Sequence, residues 1–209
     1  MGQDSIFNHP IRATDRLRVS GRIAGIRATR AGAVIVTRIE IGDETSHECA
    51  VATWSTVLFR DVGVDGPDRV DEQRPPVPTA SIAAATVAVE IPVARGLPHV
   101  YTECSGIWNP IHTERRAALA AGLPDIIVHG TATWAIVGQE LLRRCATGSV
   151  GRFARLAGEF RAPVIPGTTI LLEYREPVTG TGVVPFTVRN AAGEIAISNG
   201  SALFRAAAH

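Results

Sequence analysis

Cysteine is scarce in this chain. Cys49, Cys104 and Cys145 are odd in number and follow no ligand spacing. That suits reduced thiols in a cytosol better than a disulfide framework or a zinc site. Neither sign of charge is in excess: 21 Lys and Arg stand against 20 Asp and Glu, a formal net charge of +1. A near-neutral chain argues against a nucleic-acid surface. No apolar run reaches transmembrane length without a charge. The opening MGQDSIFNHP lacks the apolar segment of a secretory signal, and Ile6 breaks the myristoylation pattern. A cytoplasmic chain without membrane or nucleic-acid partners is expected. No Gly-rich phosphate loop, G-x-S-x-G elbow or metal-ligand spacing occurs. No metal and no resident cofactor is therefore expected.

What is present is mostly strand. Residues 17–26, 33–41 and 48–59 are β-branched or loosely alternating and are separated by Gly-containing turns. Residues 61–80 carry Gly63, Gly66, Pro67, Pro75, Pro76 and Pro78 among charges and read as a linker. A small-residue strand follows over residues 81–91. After a helical stretch, strands are expected over residues 152–161, 169–176, 183–189 and 194–204.

The helical stretch is residues 101–131, YTECSGIWNPIHTERRAALAAGLPDIIVHGT. Asn109 caps free N–H groups and Pro110 is pre-set for a first helical position. A short helix over residues 113–121 should stop at Gly122. His129-Gly130 then opens a second helix, over residues 131–146. Its start, Ala132, Trp134, Ala135, Ile136 and Val137, is apolar on nearly every face, which suits burial on all sides.

Ser105-Gly106-Ile107-Trp108-Asn109-Pro110-Ile111-His112, followed by Ala118, Gly122 and His129-Gly130, resembles the MaoC-like dehydratases, or hydratase-2 family. The family pattern here is Tyr…Ser-Gly-Asp-x-Asn-Pro-(apolar)-His, then Ala-Gly, then an apolar run into His-Gly. One position departs from it: Ile107 stands where the family has aspartate. The resemblance implies the hot-dog fold, a curled antiparallel sheet around one long helix. It also implies hydration of an enoyl thioester, or the reverse, with CoA or a carrier-protein arm on the substrate.

A weak internal repeat divides the chain. Phe7, Pro10, Ile11 and Leu17 correspond to Phe160, Pro163, Val164 and Ile170, each 153 positions later, and both halves finish on Leu-Phe-Arg. The expected fold is α+β. Residues 81–209 form a complete C-terminal hot dog, and residues 1–60 form a partial N-terminal repeat of strands without its central helix. The uncovered N-terminal sheet would expose apolar surface, so a homodimer or a heterodimer with a related hot-dog chain is expected.

The candidate site residues are His112, Gly130 and Asn109. Imidazole takes and gives protons near neutral pH, as hydration requires; the alternative for His112 is a cap or a polar niche. Under the resemblance, the Gly130 amide at the helix start faces the thioester oxygen. Tight packing is the other reason for a glycine there. Asn109 reads mainly as a cap and His129 as a packed turn histidine. Glu103, four positions before Ile107, and Glu114 are the nearest carboxylates in sequence, and a solvated position is the default for both. Cys104 reads as core. Arg115, Arg116, Arg152, Arg155 and Arg161 are available for phosphates, and nothing in the sequence chooses among them. Two functions remain open: an enoyl-thioester hydratase/dehydratase, or a non-catalytic acyl-thioester-binding or partner-stabilising subunit.

Overall fold

The computed structural model describes residues 1–45, 48–78, 87–177 and 182–206. Its strands are β1 (Gly2–Phe7), β2 (Leu17–Thr29), β3 (Gly32–Asp43), β4 (Cys49–Arg60), β5 (Arg69–Val70), β6 (Val87–Pro92), β7 (Phe153–Phe160), β8 (Thr169–Tyr174), β9 (Val183–Arg189) and β10 (Ile195–Phe204). Between β6 and β7 lie α1 (Leu97–Ser105), a 3₁₀ turn at Pro110–His112, α2 (Arg115–Ala120) and α3 (Gly130–Cys145). The strands form one antiparallel sheet in the order β5-β2-β3-β4-β1-β7-β10-β9-β8-β6.

The order is symmetric about the β1–β7 seam. On one side it runs β1, β4, β3, β2; on the other it runs β7, β10, β9, β8. These are the two halves of the sequence repeat, so the sheet is continuous through both. The halves differ in what covers them. Side chains alternate between sheet faces, and directly paired residues share one. α3 lies on the face that carries Leu156, where a Cβ on Gly138 would meet Leu156 Cδ2 at 2.7 Å. Leu141 and Val137 of α3 are buried with Leu156, Ile170, Leu172, Val184, Phe186, Val188 and Ile197 of β7–β10.

Following the pairing outward from Ser5, opposite Leu156, the same face of the N-terminal half carries Val57, Phe59, Ile23 and Val19. All four are exposed. Among the described residues no helix covers them. The buried apolar cluster of that half is small: Ala24, Ala52 and Trp54.

Residues 61–80 were expected to be a plain linker. The described part instead adds β5 to the edge of β2 and then straps the opposite sheet face. Glu72 is ion-paired to Arg22 and Arg38. The carbonyls of Pro75 and Pro76 accept from Arg155 at 2.7 and 2.8 Å, and that of Pro78 accepts from Ser201 Oγ at 2.5 Å. Proline keeps its carbonyl as an acceptor although it lacks an N–H.

β1 and α1 were not anticipated. β1 reads as polar because Asp4 and Ser5 are polar, yet both are buried in the middle of the sheet. α1 starts with Pro98 in its first turn and stops at Gly106, whose φ of 69° suits a residue without Cβ. The expected strand over residues 81–91 lies outside the described residues up to 86; the rest is β6. α3 is not buried on all sides. Ala135 and Gln139 are exposed, because α3 packs on one sheet and, among the described residues, no second layer covers its outer flank.

Candidate active site

The site is assembled by the turns around α2 and the start of α3. Asn109 sits in an extended conformation before the 3₁₀ turn, and its Oδ1 accepts from the Ile111 N–H at 3.3 Å. The turn closes when His112 N donates to Asn109 O at 3.1 Å. Ile127 N donates to Ile111 O at 3.2 Å, so the turn is laced to the segment entering α3. Asn109 is thus a cap, as its sequence context indicated.

This lacing aims His112 inward. The residue is 9% exposed, and its Nδ1 bonds to Ile127 O at 2.8 Å. A carbonyl oxygen only accepts, so Nδ1 carries the proton and Nε2 is left as the lone-pair nitrogen. No described residue bonds Nε2. Burial holds the His112 imidazole below the ordinary histidine range, while the Ile127 bond pulls the other way.

His129, which read as a packed turn histidine, is buried and packs directly on His112. The ring centroids are 3.6 Å apart and the planes differ by 20°. The Tyr101 ring is tilted against His129, with centroids 4.9 Å apart. His129 Nε2 sits 3.3 Å from Thr102 Oγ1 and 3.5 Å from Ile107 O. Burial, and secondarily charge on His112, push the His129 pKa down; the Ile107 bond opposes them. Nothing in the sequence spacing of 17 residues signals this ring contact.

Gly130 begins α3. No described backbone carbonyl or side chain accepts from its amide, as is usual for a first-turn N–H. A Cβ on Gly130 would lie 2.9 Å from the Phe160 ring, so packing alone already requires glycine here.

The carboxylates are elsewhere. Ile107 is 42% exposed and its neighbour Trp108 is exposed too. Neither Glu103 nor Glu114 is bonded to either histidine among the described residues, and both are exposed. Cys104 is exposed rather than core, because it lies on the outer side of α1.

The arginine candidates separate by their partners. Arg155 is buried against Asp4, and Arg152 donates to Arg205 O at 3.0 Å. Arg161 pairs with Glu159, and Arg115 is held loosely by Asp125 at 3.5 Å. Arg116 is exposed. The chain contains no lysine, so any permanently charged side chain that meets a phosphate here is an arginine. A cavity of about 690 Å³ lies on the strap side of the N-terminal half, beside Trp54, Glu72, Arg74 and Arg161; neither His112 nor His129 lines it. No helix among the described residues is long and apolar enough to cross a membrane.

Two repeats in one sheet, one of them wrapped on a long helix, define a double hot-dog protein. The architecture matches the MaoC-like dehydratase structure from Phytophthora capsici, with a TM-score of 0.87 at 19% identity, over 99% of this chain and 71% of that one. It also matches the Drosophila melanogaster peroxisomal multifunctional enzyme type 2 structure, with a TM-score of 0.81 at 24% identity, over 98% and 36%. Residues 78–184 match the MaoC like domain, so the chain belongs to the MaoC-like dehydratase family. The 3-hydroxyacyl-thioester dehydratase Y of Mycobacterium tuberculosis is 28% identical over 173 residues, 81% of this chain and 59% of the relative. The mouse peroxisomal multifunctional enzyme type 2 is 33% identical over 95 residues, 46% of this chain and 13% of that protein. The chain spans less than two thirds of the length of both relatives.

Proposed function

We propose that this chain carries an acyl-thioester hydratase/dehydratase site in which His112 Nε2 transfers the proton and the Gly130 amide meets the thioester oxygen. The observation that carries the reading is the state of His112. Its Nδ1 is pinned to Ile127 O, its Nε2 has no described partner, and burial keeps it neutral. A neutral imidazole with a free lone pair is the base that water activation requires.

In the hydration direction Nε2 takes a proton from water as the oxygen bonds to C3 of the enoyl thioester. The C2=C3 π electrons shift to C2 and the thioester oxygen, where the α3 amide stabilises the enolate. The imidazolium then returns its proton to C2, giving a 3-hydroxyacyl thioester. Dehydration is the reverse. The substrate arm is CoA or a carrier-protein arm, no further cofactor takes part, and a cytosolic setting suits three free cysteines.

A specific observation favours a second reading. No described carboxylate is bonded to His112, and on the motif resemblance Ile107 stands where the family has its aspartate. A non-catalytic acyl-thioester-binding or partner-stabilising subunit would need no such carboxylate. A hydration assay over crotonyl-, medium-chain and branched enoyl-CoAs separates the two. Turnover supports the enzyme. Acyl-CoA binding without turnover supports the subunit.

A further inference from the structure

His129 occupies the N-cap position of α3, yet its side chain makes no capping bond. Ser, Thr, Asp or Asn is the better cap at such a position. The ring is instead committed to the site. It stacks on His112 at 3.6 Å and meets, at 4.9 Å, the tilted ring of Tyr101, whose hydroxyl is anchored to Thr131 Oγ1 at 3.0 Å. Nε2 lies between Thr102 Oγ1 and the Ile107 carbonyl. The loop before the 3₁₀ turn is held from its other side as well, because Ile107 N donates to Ser105 Oγ at 3.3 Å. One imidazole from α3 therefore joins α1, the loop and the turn that carries His112.

We infer that His129 is the positioning residue of this site, a ring that stays neutral, fixes the plane of His112 by stacking and ties the Ile107 carbonyl to the same pair. The inference rests on the proposed role of His112. Its charge logic is geometric. Two imidazolium rings at 3.6 Å repel, so the pair holds at most one added proton. His129 Nδ1 is buried with no acceptor for an added N–H among the described residues, and charge on His112 pushes the His129 pKa down, so the proton goes to His112. The titratable and polar groups around His129 are Tyr101 and Thr102 from α1, His112 from the turn, and Thr131 and Thr133 from α3. No charged side chain is bonded to either ring among the described residues.

The test uses nitrogen-detected NMR of the histidine rings in wild type, His129→Ala, His129→Phe and His129→Gln, with thermal melts to establish folding. Wild type should show His112 as a single Nδ1–H tautomer and His129 uncharged wherever His112 titrates. His129→Phe keeps the stack and should keep that tautomer. His129→Ala and His129→Gln lose the stack, so the tautomer should become mixed and the His112 midpoint should rise toward that of a solvated imidazole. Where His129→Ala does not fold, the contrast between the Phe and Gln variants carries the test. A His112 tautomer and midpoint identical in the Phe and Gln variants would overturn the proposal. So would a His129 that charges before His112. If wild type hydrates enoyl-CoA, kcat should fall on the order of 10- to 100-fold in His129→Gln with KM little changed, and much less in His129→Phe. Absence of turnover in wild type counts against the hydratase reading alone, because the ring measurements do not depend on it.

Discussion

Asp4 and Ala157 face each other across the seam between β1 and β7, and they are also equivalent positions of the two repeats. The repeat offset is 153 and 157 − 4 = 153, so the local two-fold axis of the sheet passes between them. The symmetry stops at the backbone. Asp4 is fully buried and its two carboxylate oxygens accept from Arg155 Nε at 2.8 Å and Nη2 at 2.7 Å. The guanidinium also donates to the Pro75 and Pro76 carbonyls, so one buried pair fastens both halves and the strap.

That pair predicts a large stability loss on breaking it. Asp4→Ala leaves a buried guanidinium unpaired, and removing one partner of such a pair costs about 3–5 kcal/mol. Urea unfolding should show it. The double variant Asp4→Leu with Arg155→Met, which removes both charges, should recover a large part of the loss. A single Asp4→Ala variant as stable as wild type would contradict the clamp.

Gly130 is held by packing as well as by its proposed amide role, and the two can be separated. Gly130→Ala should destabilise α3, because the new methyl meets the Phe160 ring at 2.9 Å; overpacking costs about 1–3 kcal/mol. Adding Phe160→Leu makes room. The amide is unchanged in the double variant, so stability and enoyl-CoA turnover should return together. Recovered folding without recovered turnover would mean that the amide role is misassigned.

The motif around residues 101–131 gave the family, the Asn109 cap and the starts of α2 and α3 to within two residues, but not α1. Asn109 caps because its side-chain oxygen suits free amides, a purely local effect. The seam was not legible, because Asp4 and Ser5 are polar and their buried partners, Arg155 and Thr53, lie 151 and 48 positions away in sequence. The strap was not legible for a related reason: a run of prolines reads as a spacer, and its carbonyl acceptors find Arg155 and Ser201 only in the folded chain. The stack of His129 on His112 depends on where α3 begins relative to the 3₁₀ turn, which no local pattern encodes.

Ile107 is exposed, so an aspartate placed there buries no charge. Ile107→Asp should therefore fold with little change in stability, within about 0.5 kcal/mol as for ordinary surface substitutions. Positioned acid/base groups contribute on the order of 10² to 10⁴ in rate. The new carboxylate should raise hydration of enoyl-CoA, and His112→Ala should cancel the gain. A folded Ile107→Asp without any gain would favour the binding-subunit reading.

Both site histidines have folded pKa values below their ordinary value through burial. The unfolded chain then binds more protons on the acid side. Stability from these groups is complete above the unfolded histidine pKa of about 6.5 and is lost as pH falls from there through the folded values. Turnover should persist below pH 6.5 and drop only when His112 protonates. A melt series from pH 8 to 5, compared with His112→Gln and His129→Gln, checks the sign; stability that rises on acidification would contradict it.

The exposed Val19, Ile23, Val57 and Phe59 lie on the face that α3 covers in the other half. We expect a second chain, either another copy or a related hot-dog protein, to cover them, since exposed apolar patches of this kind mark association sites. Sedimentation at micromolar concentration should give a dimer, and Ile23→Glu with Phe59→Glu should dissociate it. A monomer that binds no apolar dye would contradict the expectation.

The most direct test of the proposed chemistry is the rate at which purified protein removes the conjugated double bond of enoyl-CoA, measured with wild type and His112→Ala side by side. The account predicts measurable hydration by wild type, slow for want of a carboxylate. It predicts a fall on the order of 10² to 10⁴ in a folded His112→Ala variant. A folded His112→Ala variant that hydrates as fast as wild type would contradict the assignment of His112 as the proton-transfer group.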